Sequence, residues 1–213
     1  MNIKNIMMAS ACAAAICGMM TETAFALGQG DLLVRIGLSN VSPDDSSGGF
    51  SGSPTIGVAV AADSKPSITL AYMLKDNIGI ELLGAVPFEH DLTATGSLTT
   101  KVATTKQLPP TLSVLYYFDT KSHLRPYASV GVNYTTFFDV NTTGALAGTT
   151  LSLDDSWGLA AQVGVDYDIS ADWYLNASVR YINIETVARS SALGTVDVEI
   201  NPWVFTLSAG TSF

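Results

Sequence analysis

The chain has 213 residues, 47% hydrophobic and only 14% charged, with nineteen acidic against ten basic side chains and a net charge of -9. An acidic chain offers no basic stripe to phosphates, which argues against a nucleic-acid partner, and so small a charged fraction argues against disorder. The length suits one domain with its own core, yet a mean hydropathy of +0.31 is unusual for an acidic protein surrounded by water.

Residues 1–26 read as a secretory signal peptide that is cleaved. Lys4 supplies the positive start, Ile6 to Met20 is apolar and uncharged, and Ala24-Phe25-Ala26 is a small-x-small cleavage site. The run is shorter than the roughly 20 residues of a spanning helix. Cys12 and Cys17 both lie inside it, so the exported chain has no thiol and no disulfide framework. Residues 27–213 then form a single domain, in which no apolar run is long enough for a transmembrane helix.

That domain alternates apolar and polar residues with period two, eight times over. The segments are 31–40, 66–74, 78–87, 110–118, 125–138, 156–169, 173–185 and 202–213, rich in the Val, Ile, Thr and Tyr that suit strands. Lys75-Asp76-Asn77, residues 119–124 and Ser170-Ala171-Asp172 are short turns. Residues 41–65, 88–109, 139–155 and 186–201 read as long loops, rich in Gly, Ser, Thr and Asp. Short turns on one rim and long loops on the other describe an antiparallel up-and-down meander. An even number of strands places both termini on the short-turn rim.

Sorting each strand by face decides the solvent. One face carries Leu32, Val34, Ile36 and Leu38, then Ile68, Leu70, Tyr72 and Leu74, and continues in the same manner through Val130, Val132, Val163, Val165, Phe205 and Leu207. The other carries Arg35, Glu81, Asn133, Gln162, Asp166, Asn176 and Arg180. The bulky set would overfill the inside of an eight-stranded barrel, which has little room beyond its own side chains. Turned outward it makes a lipid-facing band, where a charge would cost about 2–4 kcal/mol at the midplane. The pattern predicts an all-β, eight-stranded transmembrane barrel, closed because lipid tolerates no unpaired strand edge. Tyr72, Tyr116, Phe118, Tyr167, Trp173, Trp203 and Phe213 near the strand ends are expected in interfacial girdles. Phe205, Leu207 and Phe213 alternate up to a terminal aromatic, similar to the signature read by the barrel-assembly machinery of bacterial outer membranes.

Several stretches carry a family resemblance: Asp76-Asn77-Ile78-Gly79-Ile80-Glu81-Leu82-Leu83, Pro87-Phe88-Glu89-His90-Asp91, Leu108-Pro109-Pro110-Thr111-Leu112, Asn201-Pro202-Trp203-Val204-Phe205, and the longer runs 125–138 and 155–167. In this order they resemble the outer membrane protein W (OmpW) family of Gram-negative bacteria over nearly the whole exported chain. The resemblance implies a narrow, rather hydrophobic lumen in the bacterial outer membrane. It also implies passive uptake of small apolar molecules, with release sideways into the bilayer. It places Leu83 at an inward constriction and the segment 87–91 at the barrel mouth. Arg180 departs from it, standing where some members carry a bulky apolar residue. The expectation is that it pairs with Glu81 or Asp166 and, with Arg35 and Gln162, plugs the lumen.

The residues themselves point to little chemistry. No GxSxG, HExxH or phosphate-binding loop occurs, and His90 and His123 fall on opposite rims, so no enzyme is expected. Glu89-His90-Asp91 holds metal-ligand types but too few of them for a site, and no cofactor is expected. The long loops, taken together with Glu185 at the end of the strand before the last of them, carry eleven acids against four bases, a net of -7. They either hold divalent cations that bridge lipopolysaccharide or form a solvated surface. Phe137 and Phe138 break the alternation and either line an apolar entrance with Phe88 and His90 or join the outer girdle. The expected partners are outer-membrane lipid and lipopolysaccharide, the assembly machinery and a small apolar solute. Two rivals remain: a plugged barrel serving as a structural or receptor surface, and a soluble lipocalin-like carrier.

Overall fold

The computed structural model describes residues 27–213 apart from Lys121 and Ala171, and the expected signal peptide lies outside them. The described chain forms, in order, β1 (Leu32–Ser42), β2 (Ser46–Ser47), β3 (Ile56–Val60), β4 (Asp63–Lys75), β5 (Ile78–Ala85), β6 (Phe88–Gly96), β7 (Thr100–Leu108), β8 (Thr111–Tyr117), β9 (Leu124–Thr142), β10 (Leu151–Leu153), β11 (Ser156–Asp168), β12 (Trp173–Ile182), β13 (Glu185–Ser190), β14 (Gly194–Glu199) and β15 (Trp203–Ser212). Eight of these close a ring, β1-β4-β5-β8-β9-β11-β12-β15, each antiparallel to its neighbours. The first and last strands seal it from Leu33↔Ser212 to Ser42↔Trp203. Both ends of the barrel strands' chain meet on the short-turn rim, where the Leu32 amide bonds the Phe213 carbonyl at 3.0 Å.

The two faces sort as the alternation requires. Leu70, Val130 and Val163 are 39%, 68% and 62% exposed, whereas Arg35 and Glu81 are 2% and 0%. Phe205, Leu207 and Phe213 are exposed as well. An unbroken apolar belt of this kind is a membrane surface, not the skin of a soluble carrier. Trp157 and Trp203 stand at one edge of the belt, Trp173, Tyr116 and Phe118 at the other. Tyr134 packs on Trp157 with ring centroids 4.7 Å apart, and Tyr181 on Trp203 at 5.2 Å.

The long segments are not loops. They build a second storey of sheet above the barrel. The hairpin β6–β7 pairs with β3 on one side and with the upper end of β9 on the other. A second sheet runs β10-β13-β14-β2. β9 has nineteen residues, far more than the 9–11 a span needs, and its surplus carries the first of these sheets. The alternation fails to announce the storey because bulges break it, at Leu92/Thr93 and at Thr104/Lys106. Inside lies the larger apolar core of the molecule, which includes Val41, Val60, Phe88, Leu92, Phe137, Ile182, Ile184, Ile200 and Val204.

Two glycines accommodate rings in the lower lumen. A Cβ on Gly164 would lie 2.5 Å from the Tyr127 ring, and one on Gly210 would lie 2.4 Å from the Tyr174 ring. Both tyrosines are buried, so neither ring can swing away into solvent. Gly164→Ala and Gly210→Ala should each destabilise the barrel by about 1–3 kcal/mol, the cost of overpacking, as read from urea unfolding in lipid. Gly84→Ala is the control: its Cβ meets only the Ile68 methyl at 3.8 Å, and its unfolding midpoint should not move.

Candidate functional site

The middle of the lumen is filled by ions. Arg35 on β1, Glu81 on β5, Asp166 on β11 and Arg180 on β12 all point inward and are all buried. Arg35 bonds Glu81 at 3.0 Å and Asp166 at 3.0 Å, and Arg180 bonds Glu81 at 2.7 Å. β5 and β12 lie four strands apart in the ring of eight, so the Arg180–Glu81 bond crosses the full diameter. Two positive and two negative groups leave the plug neutral.

Buried carboxylates need partners for their lone pairs in low dielectric, and Glu81 is held by the two guanidinium groups while Asp166 adds neutral donors. Asp166 accepts from the Tyr117 hydroxyl at 2.7 Å and from the Asn176 amide at 2.7 Å. Arg35 also bonds the Tyr117 hydroxyl, and Arg180 the Gln162 carbonyl oxygen. Gln162 and Asn176 each donate to the Tyr127 hydroxyl at 3.0 Å. The Arg35 guanidinium lies 5.2 Å from the centre of the Tyr127 ring and 5.7 Å from that of Tyr174, within cation–π range.

On the short-turn side of the plug, Leu33, Ala71, Met73, Leu115, Tyr117, Tyr127 and Tyr174 pack into a buried cluster. Arg125 and Asp168 form a salt bridge at 2.6 Å toward the same rim. On the other side, Leu83 is buried and faces inward, paired across the wall with Thr111. Above it comes the apolar core of the second storey.

Phe88 and His90 sit within that storey instead of at an open mouth. The β5 alternation places Glu81 and Leu83 inside and Val86 outside, yet Phe88, His90 and Leu92 are also inside. The parity shifts by one residue at Pro87. Phe137 and Phe138 keep the alternation of β9 without a break: Phe137 is buried inside and Phe138 is half-buried on the outer face. One therefore lines the interior and the other faces out.

The Glu89-His90-Asp91 triplet does not converge. His90 points inward while Glu89 and Asp91 are exposed on the outer side, and Asp91 pairs with Lys101 at 2.6 Å. Burial holds the His90 imidazole below its ordinary pKa, against the upward pull of the Ala61 carbonyl and of Asp63. All four basic residues of the long segments are engaged: Lys65 with Asp63, Lys101 with Asp91, Lys106 with Asp139 and Arg189 with Asp154.

The wall itself has a discontinuity beside Leu83. β5 and β8 pair up to Leu83↔Thr111, and β6 and β7 pair from Phe88↔Gln107 onward. Between these pairs lie residues 84–87 and 108–110, including Pro87, Pro109 and Pro110, none of which has an N–H to donate. The Pro109 and Pro110 carbonyls instead take the side-chain amide of Asn133, at 3.0 and 3.1 Å.

Sequence reasoning missed Tyr117, Tyr127, Tyr174 and Gln107 as lumen residues, while Asn133 is buried on the inner face as its alternation requires. Tyr117, Tyr127 and Tyr174 share the inward parity of Ser113, Asn133 and Asn176 on their own strands and were legible from it. Gln107 lay in a segment read as loop.

Comparison with known proteins agrees with this architecture. The OmpW family model matches residues 28–213. Outer membrane protein W of Vibrio cholerae is 45% identical over 214 residues, covering 93% of this chain and 98% of the relative. The crystal structure of the outer membrane protein OprG from Pseudomonas aeruginosa superposes with a TM-score of 0.82 at 39% identity, covering 88% of this chain and 98% of that one. A more distant relative is the dibenzothiophene metabolism operon protein PahQ of Pseudomonas aeruginosa. It is 25% identical over 187 residues, covering 84% of this chain and 87% of the relative.

Removing one partner from a buried ion pair costs about 3–5 kcal/mol, because the remaining charge is left uncompensated. Arg180→Leu should therefore lower stability by that order in urea unfolding and raise ion leakage in planar bilayers. Unchanged leakage would count against a plug. His90 gives a second expectation. An opened β6 takes up a proton near the ordinary histidine pKa of about 6.5, whereas the folded imidazole resists it. Protection of β6 amides from hydrogen exchange, corrected for intrinsic rates, should fall as pH drops below that value, by up to about tenfold per unit. His90→Gln should abolish the dependence.

Proposed function

The chain belongs to the OmpW family of bacterial outer-membrane β-barrels, and from that premise we propose that it takes up small hydrophobic molecules passively and releases them sideways into the bilayer. The observation that carries the reading is the juxtaposition of a sealed lumen with an interrupted wall. A solute cannot pass straight through the ionic plug without separating paired buried charges, which is costly. The apolar residues Leu83, Phe88 and Phe137 lie on the long-segment side of that plug. Beside them the strand ladder lapses at Pro87, Pro109 and Pro110. A solute that leaves here moves from an apolar interior to an apolar exterior without entering water, so the transfer needs no energy source. The relative PahQ is a dibenzothiophene metabolism operon protein; dibenzothiophene is an apolar aromatic, which supports the same class of cargo for this chain.

A second reading, a non-transporting structural or receptor barrel, draws on the plug alone. Uptake separates the two. Cells lacking any related barrel should accumulate a radiolabelled apolar probe faster when they make this protein, and equal uptake with and without it would discard transport. Replacing Pro87, Pro109 and Pro110 together with Ala restores three N–H donors and lets the ladder extend. Uptake should then fall several-fold while the barrel still resists unfolding in cold detergent; undiminished uptake would remove the sideways exit.

A further inference from the structure

The apolar storey above the plug contains polar atoms that have no hydrogen-bond partner among the described residues. Gln107 is 0% exposed, and neither its amide nitrogen nor its carbonyl oxygen has a hydrogen-bond partner among the described residues. His90 is 1% exposed, and its Nε2 is likewise unpartnered. Buried polar groups left in this state are few in native proteins and each calls for a reason.

The strands bring these atoms together. Gln107 pairs with Phe88 on β6 and with Phe137 on β9. All three side chains face the interior, so a primary amide lies in a row between two phenyl rings. His90 pairs with Thr105, which makes it the diagonal neighbour of Gln107 on the same face, within about 7–8 Å. The His90 Nδ1 lies 2.6 Å from the Ala61 carbonyl. That carbonyl can only accept, so the ring proton sits on Nδ1 and Nε2 is left as an acceptor. The row thus offers one donor group and two acceptors between phenyl rings, with the neutral side chains of Thr105 and Thr135 on the same face. It adjoins the lapse in the ladder, because Phe88↔Gln107 is the first pair above it.

We infer that this row is a binding site for a small neutral amphiphile, an apolar chain or ring bearing one hydroxyl or amide group. The head would accept from the Gln107 amide and donate to the Gln107 carbonyl oxygen or to His90 Nε2. The body would lie against Phe88 and Phe137. A charged head is disfavoured, since the polar neighbours on this face, Thr105, Asn133 and Thr135, are neutral and the charges of the plug are already paired. A pure hydrocarbon leaves the three atoms as it found them. The inference rests on the transport reading for how the ligand arrives, but binding itself does not depend on it.

The test uses 1-dodecanol and dodecane. In the protein reconstituted in phosphatidylcholine nanodiscs, dodecanol should shift the Gln107 side-chain amide and His90 ring nitrogen resonances, and dodecane should not. No shift, or equal shifts with both, overturns the site and leaves an ordered water as the partner of these side chains. In cells, uptake should favour dodecanol over dodecane by roughly tenfold, the worth of one well-made buried hydrogen bond. Gln107→Leu should bring that ratio toward one, and a ratio that stays high overturns the proposal. Should the variant fail to fold, the wild-type titration decides alone. If neither probe enters faster with the protein than without it, the transport reading fails, while a dodecanol-specific shift still supports the site.

Discussion

Hydrocarbon offers no hydrogen bonds, so each N–H and C=O of a spanning wall must find its partner in a neighbouring strand. Closure of β1 against β15 follows from that requirement, and so does the sorting of side chains. Lipid outside accepts Ile36, Val130 and Leu207 and rejects Arg35 and Glu81. With eight strands the ring is narrow, and four charged groups sent inward cannot stay apart. The Arg180–Glu81 bond across the diameter is therefore a consequence of where lipid lies, as much as of either residue.

The plug in turn sets what the lumen can do. Its charges cancel, Asp166 accepts from Tyr117 and Asn176 as well as from Arg35, and the tyrosine cluster closes the rim beneath it. Gly164 and Gly210 leave room for two of those rings. Such a lumen is a floor. What lies above it is the packed apolar storey with Phe88, Gln107 and Phe137 on its inner face, next to the lapse in the ladder. The three prolines matter because they cannot donate to a ladder; Asn133 holds two of their carbonyls without bridging the two strands.

The barrel was legible from period-two alternation, because strand geometry and a two-solvent environment leave each residue one of two faces. Leu70 and Val163 on the outside, Arg35 and Asp166 on the inside, and the order of the eight strands all follow from it. The second storey was not legible. Segments 88–109 and 186–201 are strands interrupted by bulges and glycines, and their inner faces are buried by residues distant in the chain.

The sequence by itself determined the solvent of each face, the closed ring and the family, since these depend on local patterns repeated along the chain. Only the tertiary structure decided which inward charges meet, that Pro87 shifts the parity and turns Phe88 and His90 inside, and that Gln107 ends between two phenyl rings without a partner. Those outcomes depend on register and on contacts across the ring. A one-residue bulge reverses every side chain beyond it, and no local pattern announces where the bulge will fall.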